Sequence, residues 1–411
     1  MMLKGRFVVP VDGPVIENGA VILRNGRIEA VGPATSLYDK PVIDYGDGVI
    51  CPGFVNAHTH LDLTSLAGRV PPSADFADWL CRLMDNLAAA PPTRERSQQA
   101  MLSGIEQSVS AGVTMVGDIT RVPQWAREVL AESTLRGVSF GEVIAIGKRR
   151  GMLEERLAAA ASLEHQTERL REGISPHAPY TVEPDAMRAC ADRARTLRAP
   201  LSIHLAETVD EERFTRSRDG RLVTYLQELG VWDERIPVSG CGPVELASKT
   251  GLLTERTIVA HANYVTDSDI VRIADSGASV AYCPRTHDAF GHRPHRFRDM
   301  IAAGINVCVG TDSLASNPSL SILDELRFLR ERHPDIPGGE LIAMGTIRGA
   351  RALGFERVAG SIAVGKFADL VVVPLDSSEA HRGWEQIHES AHQPLATYVD
   401  GVLQAGANDR L

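Results

Sequence analysis

Short apolar runs, each closed by a polar side chain, recur through the middle of this chain and restrict its fold more than any other feature. Phe54-Val55-Asn56-Ala57 ends at His58-Thr59-His60, Leu201-Ser202-Ile203 at His204, Ile258-Val259-Ala260 at His261, and Val307-Cys308-Val309-Gly310-Thr311 at Asp312. Polar residues at the C-terminal ends of several different strands are the layout of a (β/α)8 TIM barrel enzyme. Helical patterns lie between such runs. Met101, Ile105 and Val109 repeat every four residues up to Gly112, ahead of the apolar run 113–118. Met187, Cys190, Ala194 and Leu197 repeat likewise up to Pro200, ahead of the run that carries His204. Strands are expected near 53–58, 113–118, 138–146, 173–176, 201–205, 257–260, 279–283 and 306–310. Eight is the barrel number.

The ends of the chain read differently. Arg6–Val11, Ala20–Arg24 and Arg27–Val31 are short strands, with Asn25-Gly26 placed as a two-residue hairpin turn. Strand-like material returns in 360–373 and 396–406. The expected organisation is therefore an α/β fold in which residues 1–52 and 353–411 together build a small β-sandwich and residues 53–352 form the catalytic barrel. A chain of 411 residues suits a barrel of about 250 with a companion domain.

Composition excludes several functions. A net charge of -10 leaves no basic stripe to neutralise phosphates, so a small molecule is expected as ligand and a nucleic-acid polymer is not. No stretch approaches the roughly 20 apolar residues that cross a bilayer, and the N-terminus reaches Pro10 before it builds a signal-peptide core. A cytoplasmic protein with no membrane partner is expected, and a homo-oligomer is left open. The six cysteines are dispersed without a Cys-x-x-Cys pair, which argues against a disulfide scaffold or zinc ribbon. His388-Glu389-Ser390-Ala391-His392 matches the zinc-protease pattern, but Pro394 follows at once and the match is read as an accident of composition.

Side chains alternate along a strand, so the spacing of His58 and His60 aims both imidazoles at one face, as a metal at a strand end requires. That is half of a zinc or iron site. The chain resembles the amidohydrolase superfamily on its aminohydrolase (deaminase) branch. The resemblance rests on Pro52-Gly53-Phe54-Val55-Asn56-Ala57-His58-Thr59-His60, His204-Leu205-Ala206-Glu207, Ala260-His261, Gly310-Thr311-Asp312-Ser313 and Gly365-Lys366-Phe367-Ala368-Asp369-Leu370. It implies that His58, His60, His204 and Asp312 hold one divalent metal, zinc or iron, with a position left for water. It also implies that Glu207 protonates a ring nitrogen and relays a proton to the leaving amine, that His261 hydrogen-bonds the developing alkoxide, and that Asp312 takes the water's proton. Binuclear relatives use a carboxylated lysine. Lys148 follows the third strand and not the fourth, so a single metal is expected.

The resemblance extends less firmly to substrate contacts. Asp78 and Trp79 are expected where related nucleoside deaminases meet ribose hydroxyls, and His177, closing the fourth strand, is expected to face the substrate. The run Pro284-Arg285-Thr286-His287 replaces the Ser-Asn pair of most relatives and most resembles aminodeoxyfutalosine deaminases of menaquinone biosynthesis. Arg285 is then expected to pair with a substrate carboxylate, with His287 beside it. Hydrolytic deamination of a 6-aminopurine nucleoside, with release of ammonia, is the leading reading. Hydrolysis of another aminated or chlorinated heterocycle of triazine, pyrimidine or guanine type is the alternative on the same fold. A catalytically silent metal-binding protein is the alternative of a different class.

Overall fold

The computed structural model describes residues 1–37, 41–376 and 383–406. The tail 407–411 of the expected terminal domain lies outside the described residues. Among the described residues sixteen strands sort into two sheets. The first five are β1 (Met2–Val8), β2 (Ile16–Arg24), β3 (Arg27–Pro33), β4 (Val42–Asp44) and β5 (Gly48–Pro52). Next come β6 (Phe54–Thr59), β7 (Val113–Thr120), β8 (Arg136–Val143), β9 (Leu170–Pro176), β10 (Leu201–Leu205), β11 (Thr257–His261), β12 (Ser279–Tyr282) and β13 (Val307–Val309). The last are β14 (Leu370–Pro374), β15 (Ala396–Val399) and β16 (Val402–Gly406).

Strands β6 to β13 pair in sequence order, all parallel, with helices between them. The sheet closes where Thr311 and Asp312 donate their backbone N–H groups to the His58 carbonyl, both at 3.1 Å. This is the expected (β/α)8 barrel. Ile203 and Leu205 pack outward with Met187 and Cys190 of the helix Pro184–Leu197. Alternate positions, including Val55, Met115, Phe140, Ile258 and Cys308, form a separate interior cluster with Leu353 and Phe355. Burial on both faces is why these strands read as continuous apolar runs.

The terminal strands form one hydrogen-bonded sheet in the order β16-β15-β14-β5-β1-β2-β3, with β4 also paired to β1. The expected sandwich is thus a single ladder curled around a shared core in which Leu3, Val21 and Ile28 meet Ile50, Leu370 and Tyr398. Asn25 and Gly26 both have positive φ, at 50° and 76°, as a tight hairpin turn with the twist of its strands requires. The first strand begins earlier than 6–11. Met2–Lys4 pair with both β2 and β4, and Val11 has already turned to a φ of 75°.

Arg136, at the base of β8, ties this sheet to the barrel. Its side chain is 1% exposed, its Nε donates to Asp369 Oδ2 at 2.7 Å, and a second nitrogen meets Asp400. Phe367 stacks against the same guanidinium. Removing one partner of a buried ion pair leaves the other charge desolvated. Asp369→Ala should therefore cost roughly 3 kcal/mol of stability, read as a lower Tm in thermal melts of the whole chain, while Val402→Thr on the exposed edge should leave Tm unchanged.

Candidate metal centre and active-site cavity

Each of the chemically active side chains leaves the barrel at the C-terminal end of a strand. His58 ends β6 and His60 follows it, across an irregularity in the β6–β7 register between Asn56 and Thr59. His204 lies in β10, His261 closes β11 and Asp312 follows β13. Ala206, His261, Ala262 and Asp312 all have φ between 52° and 69°. Left-handed backbone is uncommon for such residues and clusters at functional sites. Here it turns the chain out of the strand and toward the barrel axis.

The ligating atoms of His58, His60, His204 and Asp312 all lie within 4.8 Å of one another. His60 Nε2 stands 3.2 Å from His204 Nε2 and 3.4 Å from Asp312 Oδ1, and His58 Nε2 is 3.7 Å from the same oxygen. Neither ring nitrogen of His58 has a hydrogen-bond partner, although the side chain is fully buried. Buried polar atoms seldom go unpaired. An ion among these four groups would satisfy Nε2, the nitrogen that faces Asp312, and three imidazoles with one carboxylate are a donor set that zinc or iron accepts.

Neighbouring groups orient the set. His204 Nδ1 faces the His177 carbonyl at 3.0 Å, which turns Nε2 inward, and Ser316 Oγ donates to Asp312 Oδ2 at 2.6 Å, which leaves Oδ1 to the cluster. Burial, reinforced by the adjoining imidazoles, drives His58 well below the usual histidine range. Burial does the same to His60, and brings His204 down to about 4. Neutral imidazoles are what a metal needs.

Glu207 and His261 complete the floor, with Glu207 Oε1 at 3.5 Å from His261 Nε2. Burial, then the carboxylates of Asp312 and Glu211, push Glu207 well above the ordinary glutamate range. Glu211 accepts from the backbone N–H groups of Ala206 and Glu207 at 2.9 and 2.8 Å, and Asn263 donates to the Glu207 carbonyl at 3.1 Å. The turn that carries Glu207 is thus fixed from two sides.

Above the floor opens a cavity of about 990 Å³, counting the space at its mouth. One wall is apolar, made by Phe76, Trp79, Leu80 and Leu83 of the helix Phe76–Ala89 facing Tyr225 and Leu226 of the helix Arg221–Glu228. The other carries Glu142 with three arginines, Arg121, Arg149 and Arg156, from the segments after β7 and β8. Among the described residues no carboxylate lies within 4.0 Å of any of the three guanidinium groups. His177 lines the cavity, its Nδ1 2.7 Å from Thr181 Oγ1 and its Nε2 3.9 Å from Glu142 Oε1.

Other expected contacts are not placed there. Asp78 points into solvent and pairs with Arg82 at 3.1 Å, because one step along a helix turns a side chain by about 100° from Trp79. Trp79 does line the cavity with its ring, while its indole N–H donates to the Val70 carbonyl at 3.0 Å. Arg285 lies behind the Asp312 turn, where Nη1 donates to Ser319 Oγ at 2.9 Å and Nε is 3.8 Å from buried Glu325. His287 faces the Arg293 carbonyl at 2.9 Å. The substrate roles expected of Asp78, Arg285 and His287 are corrected accordingly, the last two to support of a loop. Lys148 is exposed and lines no part of the cavity. His388 is buried whereas His392 pairs with Asp376 at 2.7 Å, so the two share no site.

The arginines went unrecognised in the sequence, where only Lys148 of the run Lys148-Arg149-Arg150 was weighed. Which of its heads turns inward is settled by packing: Arg150 is bound to Glu183 and Asp233, and only Arg149 faces the cavity.

A closed parallel barrel with three histidines, an aspartate and a buried glutamate converging at its C-terminal mouth defines a (β/α)8 enzyme of the hydrolytic kind. The chain belongs to the amidohydrolase family, whose profile matches residues 49–403. It is 30% identical to the 5-methylthioadenosine/S-adenosylhomocysteine deaminase of Symbiobacterium thermophilum over 93% of this chain and 86% of that one. In structure it is similar to Helicobacter pylori aminofutalosine deaminase in complex with methylthio-coformycin, with a TM-score of 0.86 and 23% identity over 98% of this chain and 100% of that one. It is also similar to an adenosine deaminase from Xanthomonas campestris with bound zinc, with a TM-score of 0.82 and 24% identity over 98% and 92%.

Elemental analysis of the purified, zinc-loaded protein should give about one equivalent, as a mononuclear site requires. His58→Ala should lose it. A second tightly held equivalent would contradict the single centre. Gly310→Ala should also weaken metal retention, since a Cβ there would fall 2.7 Å from the His58 carbonyl oxygen and push β6 away from β13.

Proposed function

We propose that the protein deaminates an adenosine-type nucleoside whose 5′ arm ends in an anionic group, with aminodeoxyfutalosine, a menaquinone precursor, as the leading candidate and zinc as the resident metal. The observation that carries this reading is the buried pair Glu207 and His261 on the floor of a cavity whose far wall presents Arg121, Arg149 and Arg156. The names of the relatives support the nucleoside, and the apolar wall suits a purine with its arm.

His58, His60, His204 and Asp312 would hold the metal, which would supply Lewis-acid activation of water at neutral pH. Glu207, whose pKa burial raises, gives its proton to the ring nitrogen beside the aminated carbon as the new C–O bond forms. Asp312 accepts a proton from the attacking water. His261 hydrogen-bonds the oxygen on which charge develops. The proton taken up by Asp312 then passes by way of Glu207 to the exocyclic nitrogen, the C–N bond breaks, ammonia leaves a 6-oxopurine, and the remaining hydroxyl proton restores Glu207. His177, held neutral by burial with a pKa near 4, faces the ring without adding a charge.

Ammonia release should be followed across aminodeoxyfutalosine, S-adenosylhomocysteine, 5-methylthioadenosine and adenosine. Preference for the members that carry a carboxylate is expected. Preference for the uncharged ones would remove the anionic arm, and no ammonia from any of them would remove the nucleoside. Glu207→Gln should keep the metal and lose at least about 10²-fold in kcat. Arg149→Ala should weaken kcat/KM for the preferred acid by about 1.5–3 kcal/mol while adenosine changes little.

A further inference from the structure

The loop after β12 reaches back to His261. His295 Nε2 lies 2.8 Å from the His261 carbonyl oxygen, so this nitrogen carries the proton and donates it. Among the described residues the opposite nitrogen, Nδ1, is buried without a partner. The ring lies flat on Tyr282, with centroids 3.8 Å apart and planes 16° from parallel, and Phe297 extends the stack. Its position is therefore set by packing independently of the hydrogen bond.

The peptide it meets is the one that aims the site. His261 and Ala262 are consecutive left-handed residues, at φ of 69° and 53°. Two such residues in a row are strained and persist only where the surroundings over-determine them. The Ala262 N–H is held by the Leu205 carbonyl at 3.1 Å, and the Tyr264 N–H by the Ala206 carbonyl at 2.8 Å. The His261 carbonyl shares a peptide with that Ala262 N–H and is held from its other end by His295, so hydrogen bonds fix both ends of the peptide that turns the chain directly after the imidazole, whose Nε2 lies 3.5 Å from Glu207 Oε1.

We propose that His295 is a positioning residue for His261: its hydrogen bond to the His261 carbonyl locks the strained turn that keeps the imidazole facing Glu207 and the cavity. The role rests on the deaminase reading for its kinetic consequence but not for its structural one. Other members of the loop act on the neighbouring strand end, where Thr286 Oγ1 donates to the Thr311 carbonyl at 3.2 Å beside Asp312. One loop thus steadies the two strand ends that carry His261 and Asp312.

The test compares His295→Leu, which removes the donor and keeps apolar bulk against Tyr282, with His295→Gln, whose amide N–H can replace the imidazole donor. Both are loaded with zinc, and turnover is measured on the best substrate of the panel. The leucine variant should keep its metal and its KM and lose about 10- to 100-fold in kcat, the scale of a small misplacement of a reacting group. The glutamine variant should recover most of that loss. Histidine-selective 15N NMR gives a readout without substrate. The His261 ring signal, assigned by its disappearance in His261→Asn, should shift in the leucine variant and return in the glutamine variant. Unchanged kcat in His295→Leu, no advantage of glutamine over leucine, or an unmoved His261 signal would each overturn the proposal. If no substrate in the panel is turned over by the wild type, the deaminase reading fails and the His261 signal alone decides the role of His295.

Discussion

The seam between β6 and β13 is the contact on which this molecule depends. Closing a parallel barrel brings the first strand beside the eighth, and here the closure is made by His58 itself, whose carbonyl accepts from Thr311 and Asp312. Asn56 reinforces it, exchanging hydrogen bonds with the Thr311 side chain and backbone. Gly310 permits the approach, since any side chain there would strike the His58 backbone. The hydrogen bonds that close the fold therefore also set His58 and Asp312 side by side, and folding and assembly of the centre are one event.

That coincidence explains how a fold can tolerate so many buried polar groups in one place. Imidazoles, carboxylates and a glutamic acid at the barrel mouth would each be costly to desolvate alone. They are held by partners one step further out: Ser316 on Asp312, the His177 carbonyl on His204, Glu211 and Asn263 on the Glu207 turn. Glu325 works at one more remove, accepting from Asn317 at 2.7 Å and from the Arg285 backbone at 2.9 Å, while Asn317 holds the Thr311 carbonyl. The left-handed residues at the strand ends survive because this lattice leaves them no alternative.

The metal-ligating cluster and the walls of the cavity come from different parts of the fold. The floor is polar and fixed by the barrel, whereas the walls come from helices and turns inserted after the strands. The helices Phe76–Ala89 and Arg221–Glu228 pack on each other in an apolar cluster distinct from the barrel's own core, and an ion pair between Asp75 and Arg221 joins them at 3.0 Å. The same cavity is lined by Arg121, Arg149 and Arg156, which among the described residues have no carboxylate within 4.0 Å and so add positive charge to the cleft. An overall charge of -10 gives no hint of so local a feature.

Strand count, barrel closure and the polar residues that end β6, β10, β11 and β13 were legible in the sequence, because parallel strands buried on both faces must be written as apolar runs and their ends cannot hide a histidine or an aspartate. Of the residues that line the cavity, His177 and Trp79 were expected and the three arginines were not. Asp78 and Trp79 differ by one step on a helix, Arg149 and Arg150 by one step in a turn, and only packing decides which head faces in. Arg285 and His287 were expected as ligand contacts from the family resemblance of their loop; Glu325 and the Arg293 carbonyl, distant or unremarkable in sequence, claim them for the loop instead. The sequence by itself determined the barrel and the chemistry gathered at its mouth, since both follow from local patterns of burial. The tertiary structure decided which side chains surround the substrate, since that depends on contacts between segments whose distance along the chain carries no information about their distance in space.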